Sequence, residues 1–290
     1  MNQLPPEIES WRGTGSTITV DGVDLWYRVG GAGPWLVCFH GFPTSSWDWH
    51  LLLPHLESER SVLVFDFPGY GLSQKKPGHD FSLLKQLDAA LALMKKLGIE
   101  SFDLLSHDMG NSVACELLYR RECGEDLPEL RSLVMLNGGV YMDLHHPLPT
   151  QRLLRTPLIG AITGRLTSYR LFRHQYPKVY ANPEQFDESH YRAQWALMQH
   201  GRGRKTLAGI ACYMRERVRF GERWTGPAER LSLPFTLIWG PEDPIAVEAI
   251  ALRLCERNPN AKLVRLPGIG HYPQLEAPGA VAAEISKHLQ

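Results

Sequence analysis

Six short apolar segments, separated by stretches long enough for helices, constrain the fold of this chain more than any other feature. The segments are rich in β-branched and aromatic residues, which is typical of strands buried on both faces of a parallel sheet. Helical patterns lie between them, and the clearest, FSLLKQLDAALALMKKLG, ends at Gly98. The segments are WLVCFH, SVLVFDF, FDLLS, SLVMLN, FTLIWG and AKLVRL. Their alternation with helices predicts an α/β fold with a mostly parallel sheet flanked by helices.

Two departures from this alternation suggest how the chain is organised. STITV and VDLWYRV flank Asp21-Gly22, a pair that favours a tight turn, so an antiparallel hairpin should precede the parallel strands. From Gly138 to Arg230 the sequence is rich in Arg and Tyr and has helical patterns but no convincing strand. We therefore predict a core of residues 1–137 and 231–290, with residues 138–230 inserted as a helical cap.

Composition narrows the expected partners and location. Among 290 residues, Lys plus Arg and Asp plus Glu balance at 31 each, so the net charge favours neither nucleic acid nor an anionic membrane. The five cysteines are scattered without a C-x-x-C pair, which argues against a disulfide framework or zinc site. MNQLPPEIESW lacks the apolar segment of a signal peptide. We expect a cytoplasmic monomer or homodimer that binds a small molecule, with no nucleic-acid or membrane partner and no metal.

The segment LLSHDMGNSVACELLYR, residues 104–120, predicts a strand, an abrupt turn and a helix. Such a turn can present a nucleophile, but it needs small residues two positions before and after its tip. Around Ser106 these positions are Leu104 and Asp108, whereas around Asp108 they are Ser106 and Gly110. Asp108 is therefore the better candidate. The alternative is that Asp108 only caps the following helix, because Asp is a favoured N-cap residue.

A carboxylate at the turn indicates a particular chemistry. Its ordinary pKa is about 4, so Asp108 is ionised at neutral pH without a base to activate it. A carboxylate suits attack on a saturated carbon that carries a leaving group, as in an epoxide or an alkyl halide. The product of this attack is an ester of the enzyme.

Two further motifs supply partners for Asp108. GIGHYPQLEAP places His271 in a loop after the last strand, and LIWGPEDPIA places Asp243 after the preceding strand. The order nucleophile, acid, histidine is that of hydrolase triads, in which the histidine activates water and the acid orients it. Glu242, next to Asp243, leaves the assignment of the acid open. In CFHGFPTSSWDW, the N–H of Phe42 could form an oxyanion hole with that of Met109.

Together HGFP, DFPGYGLS, SHDMG, GPEDP and GHYPQLEAP resemble the α/β-hydrolase superfamily, in particular its aspartate-nucleophile branch of epoxide hydrolases and haloalkane dehalogenases. HGFPTSSWDW and LNGGVY also resemble the mesoderm-specific transcript group. The resemblance implies an α/β-hydrolase fold with a helical cap over the site and no cofactor. In haloalkane dehalogenases a Trp after the nucleophile binds the halide, but here Met109 follows, and neither it nor Phe42 has a donor side chain. Fluoroacetate-type dehalogenases use arginines near the turn, and DMGNS contains none.

Epoxide hydrolases use two cap tyrosines to protonate the oxygen of the opened ring, and the resemblance points to Tyr213 and Tyr169, with Tyr176 as a rival. Residues near these motifs are candidates for substrate binding, namely His40, Trp47, His107 and Tyr176. We predict a cofactor-independent epoxide hydrolase that converts small to medium apolar epoxides and water into vicinal diols. The alternatives are a haloalkane dehalogenase, a hydrolase-like ligand-binding protein and, more remotely, an esterase acting through Ser106.

Overall fold

A computed structural model describes residues 3–156 and 159–289 of the chain. Its described strands are β1 Ser16–Val20, β2 Val23–Gly30, β3 Trp35–Phe39, β4 Ser61–Phe65, β5 Ser101–Ser106, β6 Glu129–Leu136, β7 Phe235–Trp239 and β8 Ala261–Arg265. They form one sheet in the order β1-β2-β4-β3-β5-β6-β7-β8. The pairs β1–β2 and β2–β4 are antiparallel, and every other neighbouring pair is parallel. The predicted α/β class and mostly parallel sheet are confirmed.

Helices precede, connect and follow these strands. Those outside the predicted cap are α1 Pro6–Gly13, α2 Leu53–Leu56, α3 Leu83–Lys96, α4 Met109–Glu122, α12 Ala249–Arg257, α13 Pro273–Glu276 and α14 Pro278–His288. Those between β6 and β7 are α5 Pro149–Leu154, α6 Ile159–Leu166, α7 Tyr169–Gln175, α8 Glu188–Gln199, α9 Gly203–Ile210, α10 Tyr213–Arg219 and α11 Gly221–Arg230. None of the described helices is long and apolar enough to cross a bilayer.

Local sequence explains several element boundaries. Asp21 and Gly22, between β1 and β2, have φ of 49° and 73°, as expected for a hairpin turn with two residues in the left-handed region. The Ser82 hydroxyl accepts a hydrogen bond from the Lys85 N–H at the start of α3. Gly98, with φ of 68°, follows the end of that helix, where left-handed backbone favours glycine.

Both faces of the sheet are covered because successive strand residues point to opposite sides. Val37 and Phe39 of β3 pack into one apolar cluster, which includes residues of α3 and α4. Leu36 and Cys38 of the same strand pack into a second cluster, with residues of α1, α2 and α14. One strand differs from the prediction. AKLVR is only partly buried because β8 lies at the edge of the sheet, where charged side chains are common.

The parallel strands bring the chemically important loops together. The carboxyl ends of parallel strands meet at one edge of a sheet, where ligands bind in folds of this kind. The segments that follow β3, β5, β6, β7 and β8 all leave from this edge. The predicted nucleophile, acid and histidine lie in three of these segments.

Candidate active site

The turn after β5 holds Asp108 in a strained backbone conformation. Its φ is 47° and its ψ is −109°, an uncommon combination for a residue other than glycine. Glycines make room for the turn. A Cβ on Gly110 would lie 2.3 Å from the Phe39 carbonyl oxygen, and one on Gly138 would lie 2.7 Å from the Asp108 Cα. The Asp108 side chain makes no capping hydrogen bond to α4, so the helix-cap alternative does not describe it.

The Asp108 carboxylate instead faces the loop after β3. The Phe42 N–H donates a hydrogen bond to Asp108 Oδ2 at 2.9 Å. A Cβ on Gly41 would lie 2.9 Å from the Asp108 Cβ, so glycine at position 41 allows this close approach. Within the described part of the chain, the Met109 N–H forms no hydrogen bond with the carboxylate, although the Met109 Sδ accepts one from the Tyr70 hydroxyl at 2.9 Å. One of the two predicted oxyanion donors therefore contacts the carboxylate.

Arg217 of α10, which the sequence did not single out, lies against Asp108. Arg217 Nη2 donates to the Asp108 backbone oxygen at 2.9 Å and lies 3.6 Å from Asp108 Oδ1. Arg217 Nε donates to the Ser112 hydroxyl at 2.7 Å, and only 2% of the arginine side chain is exposed. Burial alone would raise the pKa of Asp108, but Arg217 and His271 hold it below its ordinary value. The carboxylate is therefore ionised at neutral pH.

His271 and Asp243 form a close pair. His271 Nδ1 lies 2.6 Å from Asp243 Oδ2, and both side chains are buried. The other oxygen, Asp243 Oδ1, accepts from the N–H groups of Ile245 at 2.7 Å and Ala246 at 3.0 Å. Burial alone would lower the pKa of His271, but Asp243 and then Asp108 raise it to about 9. The bond to Asp243 orients the imidazole and leaves Nε2 available to exchange a proton.

Asn137, at the end of β6, connects the turn that carries Asp108 with the loop that carries Asp243. Its backbone oxygen accepts from the Asp108 N–H at 2.9 Å. Its side-chain Nδ2 donates to the Gly240 oxygen at 2.9 Å and to Asp243 Oδ2 at 3.0 Å. One residue thus fixes both the turn and the acid. A polar residue directly after a buried strand, in LNGG, was the signal that could have found it.

Two residues hold the histidine loop in place. His107 Nε2 donates to the His271 carbonyl oxygen at 2.8 Å. Burial, followed by the neighbouring His271, lowers the pKa of His107 to about 3, so this imidazole is neutral. The Glu276 carboxylate accepts from the N–H groups of Gly270 at 3.0 Å and Tyr272 at 3.1 Å, on either side of His271.

Three of the four candidate substrate-binding residues have other contacts. His107 holds the histidine loop, as described above. His40 Nδ1 lies 2.9 Å from the Gly41 oxygen, and His40 Nε2 accepts from the Phe67 N–H at 3.1 Å, so both its nitrogens are engaged. Trp47 stacks on His50 with ring centroids 3.8 Å apart. Tyr176 is the one that lines a cavity.

The two predicted cap tyrosines differ in their surroundings. Tyr213 is fully buried, and its hydroxyl has no hydrogen-bond partner among the described residues. Its ring centroid lies 5.2 Å from that of Phe42 and 4.6 Å from the Arg217 guanidinium carbon. Burial, and then the Asp108 charge, raise the pKa of Tyr213, which keeps its hydroxyl protonated. Tyr213 thus packs against the two residues that contact the Asp108 carboxylate.

Tyr169 is not brought to the site. Its hydroxyl donates to Glu188, a half-exposed carboxylate of α8, and the Arg192 guanidinium lies over its ring. The prediction relied on a loose match to a Tyr-then-Phe pattern. Phe172, the Phe of that pattern, lines an apolar cavity next to Phe42.

Another residue that sequence analysis missed is His145, between β6 and α5. It is buried, and neither of its ring nitrogens has a partner among the described residues. A Cβ on Gly139 would lie 2.6 Å from Arg217 Nη1 and 3.2 Å from His145 Cδ2, so both side chains pack over this glycine. Burial, and then Arg217, lower the pKa of His145 to about 3.

A mostly apolar cavity lies between the Phe42 loop and the helices after β6. Its volume is about 80 Å³, several times what one water molecule needs. Its walls include Phe42 and Pro43 of the core, with Leu154, Phe172, Tyr176 and Leu207 from four different segments of the predicted cap. Phe42 therefore contributes its N–H to Asp108 and its side chain to the cavity.

A sharp turn after β5, an acid after β7 and a histidine after β8, all at the carboxyl edge of one sheet, define an α/β hydrolase. A family model described as alpha/beta hydrolase fold matches residues 34–278. The chain belongs to this family. The Ser106 hydroxyl donates to Asn111 at 2.7 Å and is buried at the end of β5, so it does not occupy the tip of the turn.

Curated relatives span nearly the whole chain. A putative hydrolase, LipZ, from Mycobacterium tuberculosis is 34% identical over 278 residues, which cover 96% of each chain. The mesoderm-specific transcript protein of Mus musculus is 33% identical over 287 residues, covering 95% of this chain and 86% of that one. Among solved structures, haloalkane dehalogenase DbeA from Bradyrhizobium elkani superposes with a TM-score of 0.78 at 22% identity, over 94% of this chain and 96% of that one.

Proposed function

We propose that this hydrolase opens epoxides to vicinal diols through an ester of Asp108. The observation that carries the proposal is the buried hydroxyl of Tyr213, which has no partner among the described residues. The Tyr213 ring packs against Phe42 and Arg217, and both of these contact the ionised carboxylate of Asp108. Epoxide opening needs an acidic O–H close to the nucleophile, because the breaking C–O bond leaves an alkoxide that must be protonated. A buried hydroxyl without a partner is costly to the fold unless a ligand satisfies it. An epoxide oxygen is an acceptor of the required kind.

In the first step, Asp108 Oδ1 attacks one epoxide carbon while Oδ2 accepts the Phe42 N–H. The bond from that carbon to the ring oxygen breaks, and the oxygen takes the proton of the Tyr213 hydroxyl. The products are a hydroxyalkyl ester of Asp108 and a tyrosinate. Arg217, 4.6 Å from the Tyr213 ring centroid, stabilises the tyrosinate charge.

In the second step, His271 takes a proton from water, and the water oxygen attacks the ester carbonyl carbon of Asp108. The developing oxyanion is the former Oδ2, which already accepts the Phe42 N–H. Collapse of the intermediate breaks the bond between the carbonyl carbon and the alkyl oxygen. His271 gives the proton it took from water to the departing alkoxide oxygen, which completes the diol. The proton left on the Asp108 carboxyl group passes to the tyrosinate, so the imidazole, the carboxylate and the phenol are all restored.

The test combines turnover with mass spectrometry. Wild-type protein and the Asp108→Ala variant are assayed with styrene oxide, 1,2-epoxyhexane and cyclohexene oxide, and we expect diol only from the wild type. The His271→Ala variant should accumulate an adduct whose intact mass equals protein plus epoxide, located on Asp108 by peptide mapping. No diol from any epoxide, or binding without turnover that Asp108→Ala leaves unchanged, would reject the proposal in favour of a ligand-binding protein.

The second candidate is a dehalogenase, which one observation favours. Arg217 Nη1 is buried without a partner among the described residues, so a donor is available for a halide or a substrate carboxylate near Asp108. Known dehalogenases also share the fold. The same variants are therefore assayed for halide release from 1,2-dibromoethane and 2-chloropropionate. Halide release with no diol formation would replace the epoxide proposal.

A further inference from the structure

Helix α6 exposes its large apolar residues, whereas an ordinary surface helix buries them. Its glycines face inward. A Cβ on Gly160 would lie 2.2 Å from the Leu154 oxygen, and one on Gly164 would lie 2.9 Å from the Arg204 oxygen. Its large side chains face outward, since Ile159, Ile162 and Leu166 are 49%, 57% and 74% exposed. Close packing through glycines thus leaves the apolar face of this helix uncovered.

Leu153 of α5, which packs against α6, extends this apolar surface and is 48% exposed. We call Leu153, Ile159, Ile162 and Leu166 the apolar stripe. Among the described residues, eight large hydrophobic side chains are exposed, and four of them form this stripe. Single exposed apolar residues are ordinary, but a group of them marks an interaction surface.

The charges around the stripe are almost all positive. Residues 144–183 contain six Arg and Lys and no Asp or Glu, and residues 189–215 contain five and none. Arg152 and Arg165 are exposed on the same two helices as the stripe, and Arg202, Arg204 and Lys205 are exposed at the start of α9, against which α6 packs. An apolar helix face flanked by cations is the pattern of segments that lie in the interface of an anionic membrane.

The stripe also adjoins the apolar cavity that shares Phe42 with the candidate active site. Leu154 and Thr167 line this cavity, and they directly follow Leu153 and Leu166 of the stripe in sequence. An apolar molecule dissolved in a membrane would therefore meet the protein next to the cavity.

We propose that the apolar stripe docks this protein onto the surface of a membrane that contains anionic lipids. The docking is interfacial, with the four apolar side chains inserted among the lipids and the surrounding arginines at the headgroups. A second copy of the chain fits the surface less well, because pairing two such faces would bring like charges together. The balanced net charge led us to expect no membrane partner. Residues 138–230, however, contain 15 Lys and Arg but only 7 Asp and Glu, so this segment is positively charged although the whole chain is balanced.

Vesicle binding tests the proposal without any substrate, so its outcome is separate from that of the epoxide assay. The full chain is mixed with vesicles of phosphatidylcholine alone, or of phosphatidylcholine with an equal amount of phosphatidylglycerol, and floated on a density gradient. We expect binding to the anionic vesicles that falls severalfold between 50 and 500 mM NaCl. The double variant Ile162→Gln/Leu166→Gln should reduce the partition coefficient by about tenfold or more.

The matched control is Leu51→Gln/Leu252→Gln, which changes two exposed apolar residues of the core, 38% and 43% exposed. It should bind vesicles as the wild type does, and thermal unfolding should show that both double variants are folded. Arg152→Gln/Arg165→Gln should weaken binding to anionic vesicles. The proposal fails if neither vesicle binds, or if the control loses as much binding as the stripe variant. It also fails if sedimentation shows a dimer that Ile162→Gln/Leu166→Gln dissociates, because the stripe would then be a subunit interface.

Discussion

The Asp108 carboxylate interacts with two cationic side chains, those of Arg217 and His271. These interactions determine when His271 can act as a base. Arg217 and His271 both favour the ionised carboxylate, and Asp108 in turn helps to raise the pKa of His271 to about 9. In the free protein at neutral pH, His271 is therefore protonated and cannot accept a proton from water. Esterification would remove the Asp108 charge and with it part of the support for the imidazolium. After the ester has formed, the imidazolium would lose its proton to solvent, and the neutral imidazole could then act as the base. The enzyme would take up one proton again when the Asp108 carboxylate is restored.

Replacing Asp108 with Asn, which mimics the uncharged ester, should therefore lower the pKa of His271. We expect a fall from about 9 by about one unit or more, as is typical when a nearby opposite charge is lost. NMR titration of the imidazole in wild type and Asp108→Asn measures it. Asp143→Asn, which removes an exposed carboxylate, should leave this pKa unchanged. A His271 pKa that stays at about 9 in Asp108→Asn would contradict the coupling.

Replacing Tyr213 with Phe should lower the rate of catalysis without lowering the stability of the fold. Because its hydroxyl has no partner among the described residues, Tyr213→Phe should leave the free energy of unfolding unchanged or raise it. Its kcat with an epoxide should fall by about a hundredfold or more, because the general acid is lost. Tyr169→Phe, which removes the bond to Glu188, should keep full activity. Steady-state kinetics and urea unfolding of the two variants test this, and equal activity in both would remove Tyr213 from the mechanism.

At the scale of elements, α10 connects the helices after β6 with the turn after β5. Tyr213 and Arg217 lie four residues apart, on one face of this helix. Arg217 bonds to Asp108 and Ser112, so the hydrogen bonds that fix the arginine also fix the position of the tyrosine. Arg217 is therefore a positioning residue for the candidate acid.

The Arg217→Met variant should lower the free energy of unfolding by about 2 kcal/mol or more, because it leaves the Asp108 oxygen and the Ser112 hydroxyl without their donor. Arg219→Met, which removes an exposed arginine from the same helix, should change it by less than about 0.5 kcal/mol. Urea unfolding measures both changes. Similar values for the two variants would show that Arg217 does not tie α10 to the turn.

Elements differ in how well sequence predicts them. The strands β3 to β7 could be predicted because an apolar run buried on both faces leaves a pattern in the sequence itself. Asp108, Asp243 and His271 could be placed because each follows such a strand. Arg217 and His145 could not, since their importance comes from how the helices after β6 rest on the core. Tyr169 failed for the same reason, because only the packing of α7 on α8 shows that its hydroxyl reaches Glu188.

At the scale of the whole molecule, buried histidines make the largest contribution to the response to acid, and buried Asp48, whose pKa is raised to about 7, opposes part of it. The pKa of His107 and His145 is lowered to about 3, and that of His50 and His190 to about 4, in each case mainly by burial. Below about pH 6.5 the unfolded chain binds protons that these residues cannot accept in the fold. His271 affects the free energy of unfolding with the opposite dependence on pH. Its stabilisation is complete below about pH 6.5 and is lost as the pH rises through about 9.

We therefore expect the free energy of unfolding to be greatest near pH 6.5 and to fall on both sides. On the acid side, each buried histidine contributes a slope of about 1.4 kcal/mol per pH unit. Urea unfolding between pH 4.5 and 6 should show a slope that is smaller by one such contribution in His145→Leu. Exposed His55 provides the control, and His55→Leu should keep the wild-type slope. Identical slopes in wild type and His145→Leu would contradict this account.

The bonds from Arg217 to the turn also have a consequence for engineering. Because α10 is tied to Asp108, its sequence and that of the turn form one module that should be kept together in any redesign. Helices α5 and α7 supply cavity walls but make none of these bonds, so the segment that contains them is the one to exchange between relatives. A chimera that replaces residues 149–175 while keeping 203–230 would alter the choice of substrate and preserve the reacting groups.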